Sequence, residues 1–261
     1  MDSQLIRACL AHDEILVHTF DTLNSTNTCL LEMAAENAAE WSVVTADQQT
    51  AGRGRYQRNW HSASGKGLYF SLLLKPDIPV RFFNLINLFV ALQLADFLED
   101  QFRERGVRQS LQLKWPNDLF LNGKKLCGIL LEGSLSGGQN NTLVVGVGIN
   151  VNHEAADWPD EINDIAISLR QASEGTWSRE YLLAGFLNLF YKNFNAQFPH
   201  KMGEIVHLYW QKVMNSRKMV RLTIAGELQE GLFAGLTPEG FMRLEKDGVE
   251  QIIATGELLA G

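Results

Sequence analysis

The sequence predicts an α+β protein, with strands and helices mixed over residues 1–215 and a small β-barrel over residues 216–261. Three features of the 261-residue chain lead there. Short β-prone runs such as Trp41–Ala46 and Leu68–Leu74 sit between turn-rich stretches. Two long segments, Arg81 to about Arg103 and Ser178 to Phe198, carry helical apolar spacing. After Ser216, glycines 226, 231, 235, 240, 248 and 256 punctuate brief β-prone runs, the pattern of a compact barrel.

Length and composition agree with a globular chain. At this size roughly 70–75% of the unfolded surface is buried on folding, so no disulfide or metal staple is needed. Hydrophobic residues make up 46% and charged residues 20%, which excludes disorder as an overall description. Thirty acids against 23 bases give a net charge of −7 and argue against attraction of the whole surface to nucleic acid or anionic membrane. The start, Met1-Asp2-Ser3-Gln4-Leu5, has neither the basic nor the apolar part of a leader peptide. The richest apolar stretch, Phe82 to Leu98, is interrupted by Asn84, Asn87, Gln93 and Asp96. Cys9, Cys29 and Cys127 are odd in number and far apart. A reduced, cytoplasmic protein is expected.

Taken in order, Glu14–Asp21 alternates as a strand does, and Asn24-Ser25-Thr26-Asn27 offers N-cap residues for a helix carrying Leu30, Leu31 and Met33. Trp41–Ala46 is a strand, residues 47–66 a long loop, and Leu68–Leu74 a strand again. Arg81–Arg103 is apolar on most sides, as a core helix is. Leu111–Trp115 and Asp118–Leu121 are short strands. Asn122-Gly123 is a hairpin turn leading into Lys125–Glu132, because a type I′ turn needs positive φ at both central residues. Thr142–Ile149 is a strand. Ser178 caps a helix whose Leu182, Phe186, Phe190, Phe194 and Phe198 form a core stripe, and a second helix runs from Met202 to Met214. Met219–Ile224, Gly231–Gly235 and Gln251–Thr255 are the strands of the tail.

The loop holds the densest chemistry. Between Gln48 and Pro76 lie Arg53, Arg55, Arg58, Lys66 and Lys75 with no acid, a local charge of +5. Arginines separated by glycine present guanidinium forks to carboxylate or phosphate. A solvated basic loop is the plain alternative, and a single-stranded nucleic-acid site with Tyr56, Trp60 and His61 as stacking platforms is a third. No Walker A pattern occurs. Lys114-Trp115-Pro116-Asn117-Asp118 offers hard oxygen donors of the kind magnesium prefers beside phosphates, or simply turn chemistry. Lys125 on its own reads as a surface lysine, and Ser25-Thr26-Asn27 as a helix cap. Gly146-Val147-Gly148-Ile149-Asn150 is either a strand end approached closely by a ligand or a crowded sheet crossing. The six histidines are scattered, and none reads as a metal ligand.

Their order is more telling than any one of them. Ser25-Thr26-Asn27, then Gln49-Thr50-Ala51-Gly52-Arg53-Gly54-Arg55 with Arg58 and Trp60, then Gly65 and Gly67-Leu68-Tyr69, resembles the biotin protein ligase family. Lys114-Trp115-Pro116-Asn117-Asp118, Lys125-Leu126 with Gly128-Ile129-Leu130, and Gly146 with Gly148-Ile149-Asn150 continue in the family's order. The resemblance covers about residues 15 to 170, and the tail is similar to the family's SH3-like C-terminal barrel.

That resemblance implies a mixed β-sheet flanked by helices, related to class II aminoacyl-tRNA synthetase cores. It implies that biotin and ATP form biotinyl-5′-adenylate, which then modifies a lysine of the biotin carboxyl carrier protein of acetyl-CoA carboxylase. Ser25, Thr26, Asn27, Gln49, Arg53, Gly54, Arg55 and Lys125 are the implied biotin-binding residues, and Lys125, Arg53 and Arg55 the catalytic ones. Arg55, Arg58, Lys114, Asn117, Asp118 and Asn150 are the implied nucleotide-binding residues. Magnesium is expected to arrive with ATP, near Asp118, with no protein cage of its own. About two dozen residues precede Ser25, too few for the helix-turn-helix domain of bifunctional members, so no DNA binding is expected. No membrane partner is expected, and the family includes both monomers and homodimers. Two departures stand out. Tyr56-Gln57 replaces a frequent basic residue and glycine, and Cys127 sits where small residues are usual. A lipoate-type ligase is the nearest alternative, although its R-R-x-S-G-G-G run is missing. A catalytically silent biotin-binding module is the other.

Overall fold

The computed structural model describes residues 1–134 and 141–259. In chain order the elements are α1 (Ser3–Cys9), β1 (Leu16–Leu23), α2 (Thr26–Ala35), β2 (Ser42–Gln49), β3 (Gly67–Leu74), α3 (Phe83–Glu104), β4 (Leu111–Lys114), β5 (Asp118–Leu121), β6 (Lys124–Ser134) and β7 (Thr142–Asn150). They continue with α4 (Leu169–Ser173), α5 (Arg179–Gln197), α6 (Met202–Lys212), β8 (Met219–Ile224), β9 (Glu227–Leu236), β10 (Met242–Lys246), β11 (Val249–Ile253) and β12 (Glu257–Leu258).

Seven strands form one mixed sheet in the order β1-β2-β3-β7-β6-β5-β4. β1 and β2 run parallel, joined through α2, and every other pair is antiparallel. Side chains alternate across a strand, so neighbours in sequence serve opposite faces. Val43, Leu72 and Val145 enter the large core under α3 and α5. Val44, Leu73 and Val144, the next residue or the one before, pack with Leu30 of α2 on the other face. The sheet is therefore covered by helices on both sides, the flanked mixed sheet that the resemblance implies.

The core helix and the phenylalanine stripe are where the sequence places them. The helical stretch Val80–Glu104 is long and apolar enough to cross a membrane, yet most of its apolar part is buried inside the protein. Phe186, Phe190, Phe194 and Phe198 stack along α5, and Phe89 of α3 packs against the last three. Asn122 and Gly123 take φ of 52° and 76°, the pair of positive values a type I′ hairpin needs.

The last five strands make an antiparallel sheet in the order β11-β10-β9-β8-β12. It is seated on the main body through Trp210 of α6, edge-on to Phe233 at 5.0 Å. The Trp115 indole and the Asn84 amide also donate to the Gly240 carbonyl at 3.1 and 2.8 Å. Four elements are absent from the sequence reading: α1, α4, β10 and β12.

Candidate active site

Register brings the strand ends together. Gly67 of β3 pairs with Asn150 of β7, Ile149 with Cys127 of β6, Gly128 with Asp118 of β5, and Asp118 with Lys114 of β4. One end of the sheet thus collects Lys114, Asp118, Lys125 and Asn150, while α2 and the β2–β3 loop approach from the side. Between them lies a cavity of ≈ 430 Å³, within the range typical of small-molecule sites. Ser25, Thr26, Asn27, Gln49, Arg53, Gly54, Arg55, Arg58, Lys114, Asn117, Asp118, Lys125 and Asn150, every site residue named from the sequence, line it.

The 25–27 segment is more than a helix cap. Ser25 is the N-cap of α2 but makes no side-chain capping bond. Thr26 and Asn27 are buried and enter a polar chain instead. The Gln49 carbonyl accepts from the Thr26 N–H at 2.9 Å, and the Gln49 amide donates to Ser62 Oγ at 3.2 Å. The Ser71 hydroxyl lies 2.8 Å from Thr26 Oγ1 and 2.5 Å from Asn27 Oδ1.

The two glycines of β7 are spacers. A Cβ at Gly146 would overlap the Asn27 carboxamide, and one at Gly148 would press into the Trp60 indole at 2.6 Å. The crossing is crowded, as one of the two readings of this run expects, and the crowding groups are themselves cavity-lining side chains.

Lys125 is fixed from three directions. Its ammonium lies 2.8 Å from Asp118 Oδ2 and 5.4 Å from the centre of the Trp60 ring. Its main chain bonds Ile165 and Ile167 at 2.7 and 3.0 Å, and Asn150 Nδ2 donates to its carbonyl at 3.2 Å. Lysine fixed this way is a directed charge donor and not a free surface group. Burial lowers the pKa of Lys114, with Asp118 opposing that shift. Asn117 keeps its turn role, its N–H bonding the Lys114 carbonyl at 3.1 Å, while its side chain donates to the Ile129 carbonyl at 2.7 Å and its Oδ1 accepts from Arg55 at 3.3 Å.

Each arginine of the loop has an internal acceptor. Arg53 pairs with Glu132 at 2.8 Å. Arg55 donates to Thr255 Oγ1 at 2.9 Å and to the Gly256 carbonyl at 3.1 Å. Arg58 grips both oxygens of Glu257, a hydrogen-bonded pairing that raises its pKa further. Tyr56 and Gln57 adopt φ of 55° and 59°, a left-handed backbone that glycine takes without strain. The Tyr56 hydroxyl offsets part of that cost by bonding Arg55 and Thr255 at 3.1 and 3.2 Å.

Sequence reasoning missed the segment after β7. Trp158, Ile162, Asp164, Ile165 and Ala166 line the cavity, as does Glu257. Only the tryptophan offered any sequence signal. Behind it His153 is fully buried and stacked on Trp158 at 4.2 Å, and neither ring nitrogen has a hydrogen-bond partner among the described residues.

Burial, aided by His61 and Lys66 and opposed by Asp157, pushes the His153 pKa down from 6.5 to about 4. The folded protein holds this ring neutral while the unfolded chain takes up a proton below the ordinary value. Stability from this group is therefore intact above pH 6.5 and falls progressively towards pH 4, by about 3 kcal/mol in all. His153→Phe keeps the stack and removes the proton site. Its melting temperature is expected to fall less than that of the parent between about pH 7 and about pH 4.5, by about 5 °C or more. Circular dichroism melts at the two pH values check this; parallel pH profiles would refute it.

The chain matches the model of the biotin/lipoate A/B protein ligase family over residues 19–150. It is 35% identical over 233 residues to the bifunctional ligase/repressor BirA of Bacillus spizizenii, covering 89% of this chain and 70% of that protein. A Mycobacterium tuberculosis biotin–[acetyl-CoA-carboxylase] ligase is 26% identical over 238 residues, covering 90% and 85%. Among solved structures, the Aquifex aeolicus biotin protein ligase in complex with biotin and ATP superposes with a TM-score of 0.79 at 30% identity, covering 94% of this chain and 97% of that one. With its mixed sheet, its cavity and these relatives in agreement, the chain belongs to the biotin/lipoate A/B protein ligase family, among the biotin protein ligases.

Proposed function

We propose that this chain uses ATP to activate biotin as biotinyl-5′-adenylate and then transfers the biotinyl group to a lysine of a biotin carboxyl carrier protein. The observation that carries this reading is the convergence of thirteen residues from separate segments on one cavity. Buried hydroxyl and amide groups line one part of it, and arginines and lysines line another.

In the first step a biotin carboxylate oxygen attacks the α-phosphorus, and the bond to pyrophosphate breaks. Both reactants are anions, so cations must stand between them. Arg53, Lys125 and Arg58 have that role, with Arg55 and Gly54 forming the loop over the reacting groups. Lys114, Asn117, Asp118 and Asn150 face the nucleotide. In the second step a lysine amine attacks the carbonyl carbon of the mixed anhydride, AMP departs and an amide forms. Lys125, directed by Asp118 and by its main-chain bonds, holds the carboxyl oxygen through both steps. Ser25, Thr26, Asn27 and Gln49 hold biotin.

The donor set also fits a nucleotide-borne magnesium ion. Asp118 Oδ1 is buried without a hydrogen-bond partner among the described residues, and no group of three His, Cys, Asp or Glu there makes a metal cage. Magnesium bound to the phosphates supplies neutralising charge beside Asp118. Three free cysteines suit a reducing cytoplasm; burial raises the pKa of the Cys127 thiol, which keeps it inert.

ATP–pyrophosphate exchange with magnesium tests the reading, comparing biotin, lipoate and no added acid. Exchange dependent on biotin is expected. Exchange dependent on lipoate would change the substrate, and binding of biotin without exchange would mark a silent module.

A further inference from the structure

The cavity wall has a polarity, and one residue outside the wall sets it. The carboxamide of Asn27 has two possible orientations, and its neighbours decide between them. One end faces Glu132 Oε2 at 2.8 Å and the Leu130 carbonyl at 3.3 Å, both acceptors. The other faces the Ser71 hydroxyl at 2.5 Å. Only Nδ2 towards Glu132 satisfies both ends.

The choice propagates. With Oδ1 towards Ser71, the single proton of that hydroxyl is committed to Asn27. The Thr26 hydroxyl, 2.8 Å from Ser71 Oγ, must then donate its one proton there. Gln49 is oriented separately: its Oε1 accepts the Thr26 N–H at 2.9 Å, and its amide end points at Ser62. The same Glu132 oxygen pairs with Arg53 Nη2 at 2.8 Å.

We propose that Glu132 is a positioning residue: its carboxylate fixes the donor and acceptor order of the chain Asn27–Ser71–Thr26 and holds Arg53 at the mouth of the same pocket. This rests on the reading that the pocket takes biotin, whose ureido ring carries N–H donors and a carbonyl acceptor and so needs a wall of fixed polarity. A hydrogen bond to a charged group is strong because the ionised acceptor cannot reverse its role. Removing it leaves Asn27 Nδ2 with only the 3.3 Å bond to the Leu130 carbonyl and takes away the charge that holds the amide in one orientation.

Three variants and two readouts test the proposal. In Glu132→Ala the KM for biotin is expected to rise about 10-fold or more, the loss of one charge-assisted bond, with the KM for ATP changed less than about 2-fold. Glu132→Gln keeps an acceptor for Asn27 but no charge for Arg53, so its biotin KM is expected within about 3-fold of the parent. Arg53→Ala separates the two partners, lowering kcat more than it raises the KM for biotin.

The second readout needs no substrate. The Asn27 side-chain amide signal in a nitrogen-15 spectrum is expected to be protected from solvent exchange in the parent and in Glu132→Gln, and unprotected in Glu132→Ala. An unchanged biotin KM in folded Glu132→Ala, an equal rise in both KM values, or an Asn27 amide as protected as in the parent would overturn the proposal. Parent protein that protects Asn27 but gives no biotin-dependent exchange would instead refute the assigned substrate and leave the polarity argument supported.

Discussion

Lys125→Ala is expected to lower biotin-dependent pyrophosphate exchange by about 10²–10³-fold, the usual loss when one preorganised charge donor is removed. The effect is large because the ammonium is directed. Asp118 holds it at 2.8 Å, and main-chain bonds to Ile165 and Ile167 fix the backbone beneath it. Stability is expected to change little. The lysine side chain is 33% exposed, so water replaces most of what the pair contributes, and the loss stays within about 1 kcal/mol. A melting temperature lowered by no more than about 4 °C, alongside the collapse of exchange, distinguishes chemistry from unfolding. Exchange at the parent rate in the folded variant would remove Lys125 from the mechanism.

Gly146→Ala is expected to act on binding. The new methyl would overlap the Asn27 carboxamide, whose bonds to Ser71 and Glu132 would then have to break. Losing two such bonds, one of them to a charged group, raises the KM for biotin by about 10²-fold. Forcing an extra carbon into a packed wall also destabilises by about 1–3 kcal/mol. Steady-state kinetics with biotin varied at saturating ATP, together with a thermal melt, checks both figures. An unaltered biotin KM would mean that the Asn27 wall is not the biotin wall.

Local signals were well read from sequence, and pairings across the chain were not. The Asn122-Gly123 turn, the phenylalanine stripe of α5 and the cap at Ser178, whose side chain accepts from the Tyr181 N–H, depend on residues a few positions apart. α1 is only seven residues long, too short for its periodicity to stand out. The acids that hold the arginine loop were invisible for a different reason. Glu132 lies 79 positions from Arg53, and Glu257 199 positions from Arg58, with no local pattern linking them. The same is true of Trp158 and Ile165, which join the cavity because the stretch after β7 folds back against Lys125. That thirteen distant residues line one cavity was legible because a run of motifs in family order carries what no single motif could.

Each arginine of the loop has a partner supplied by the chain itself. Glu132 and Glu257 take Arg53 and Arg58, and Thr255 and the Gly256 carbonyl take Arg55. An entering anion must therefore outcompete partners already in place. Inorganic phosphate offers charge alone and has nothing else with which to offset the exchange. A molecule that also fills the polar wall and the nucleotide side offers contacts the resident acids cannot match. Any anion that approaches the loop therefore competes with acceptors the chain itself supplies, two of them carboxylates far away in sequence.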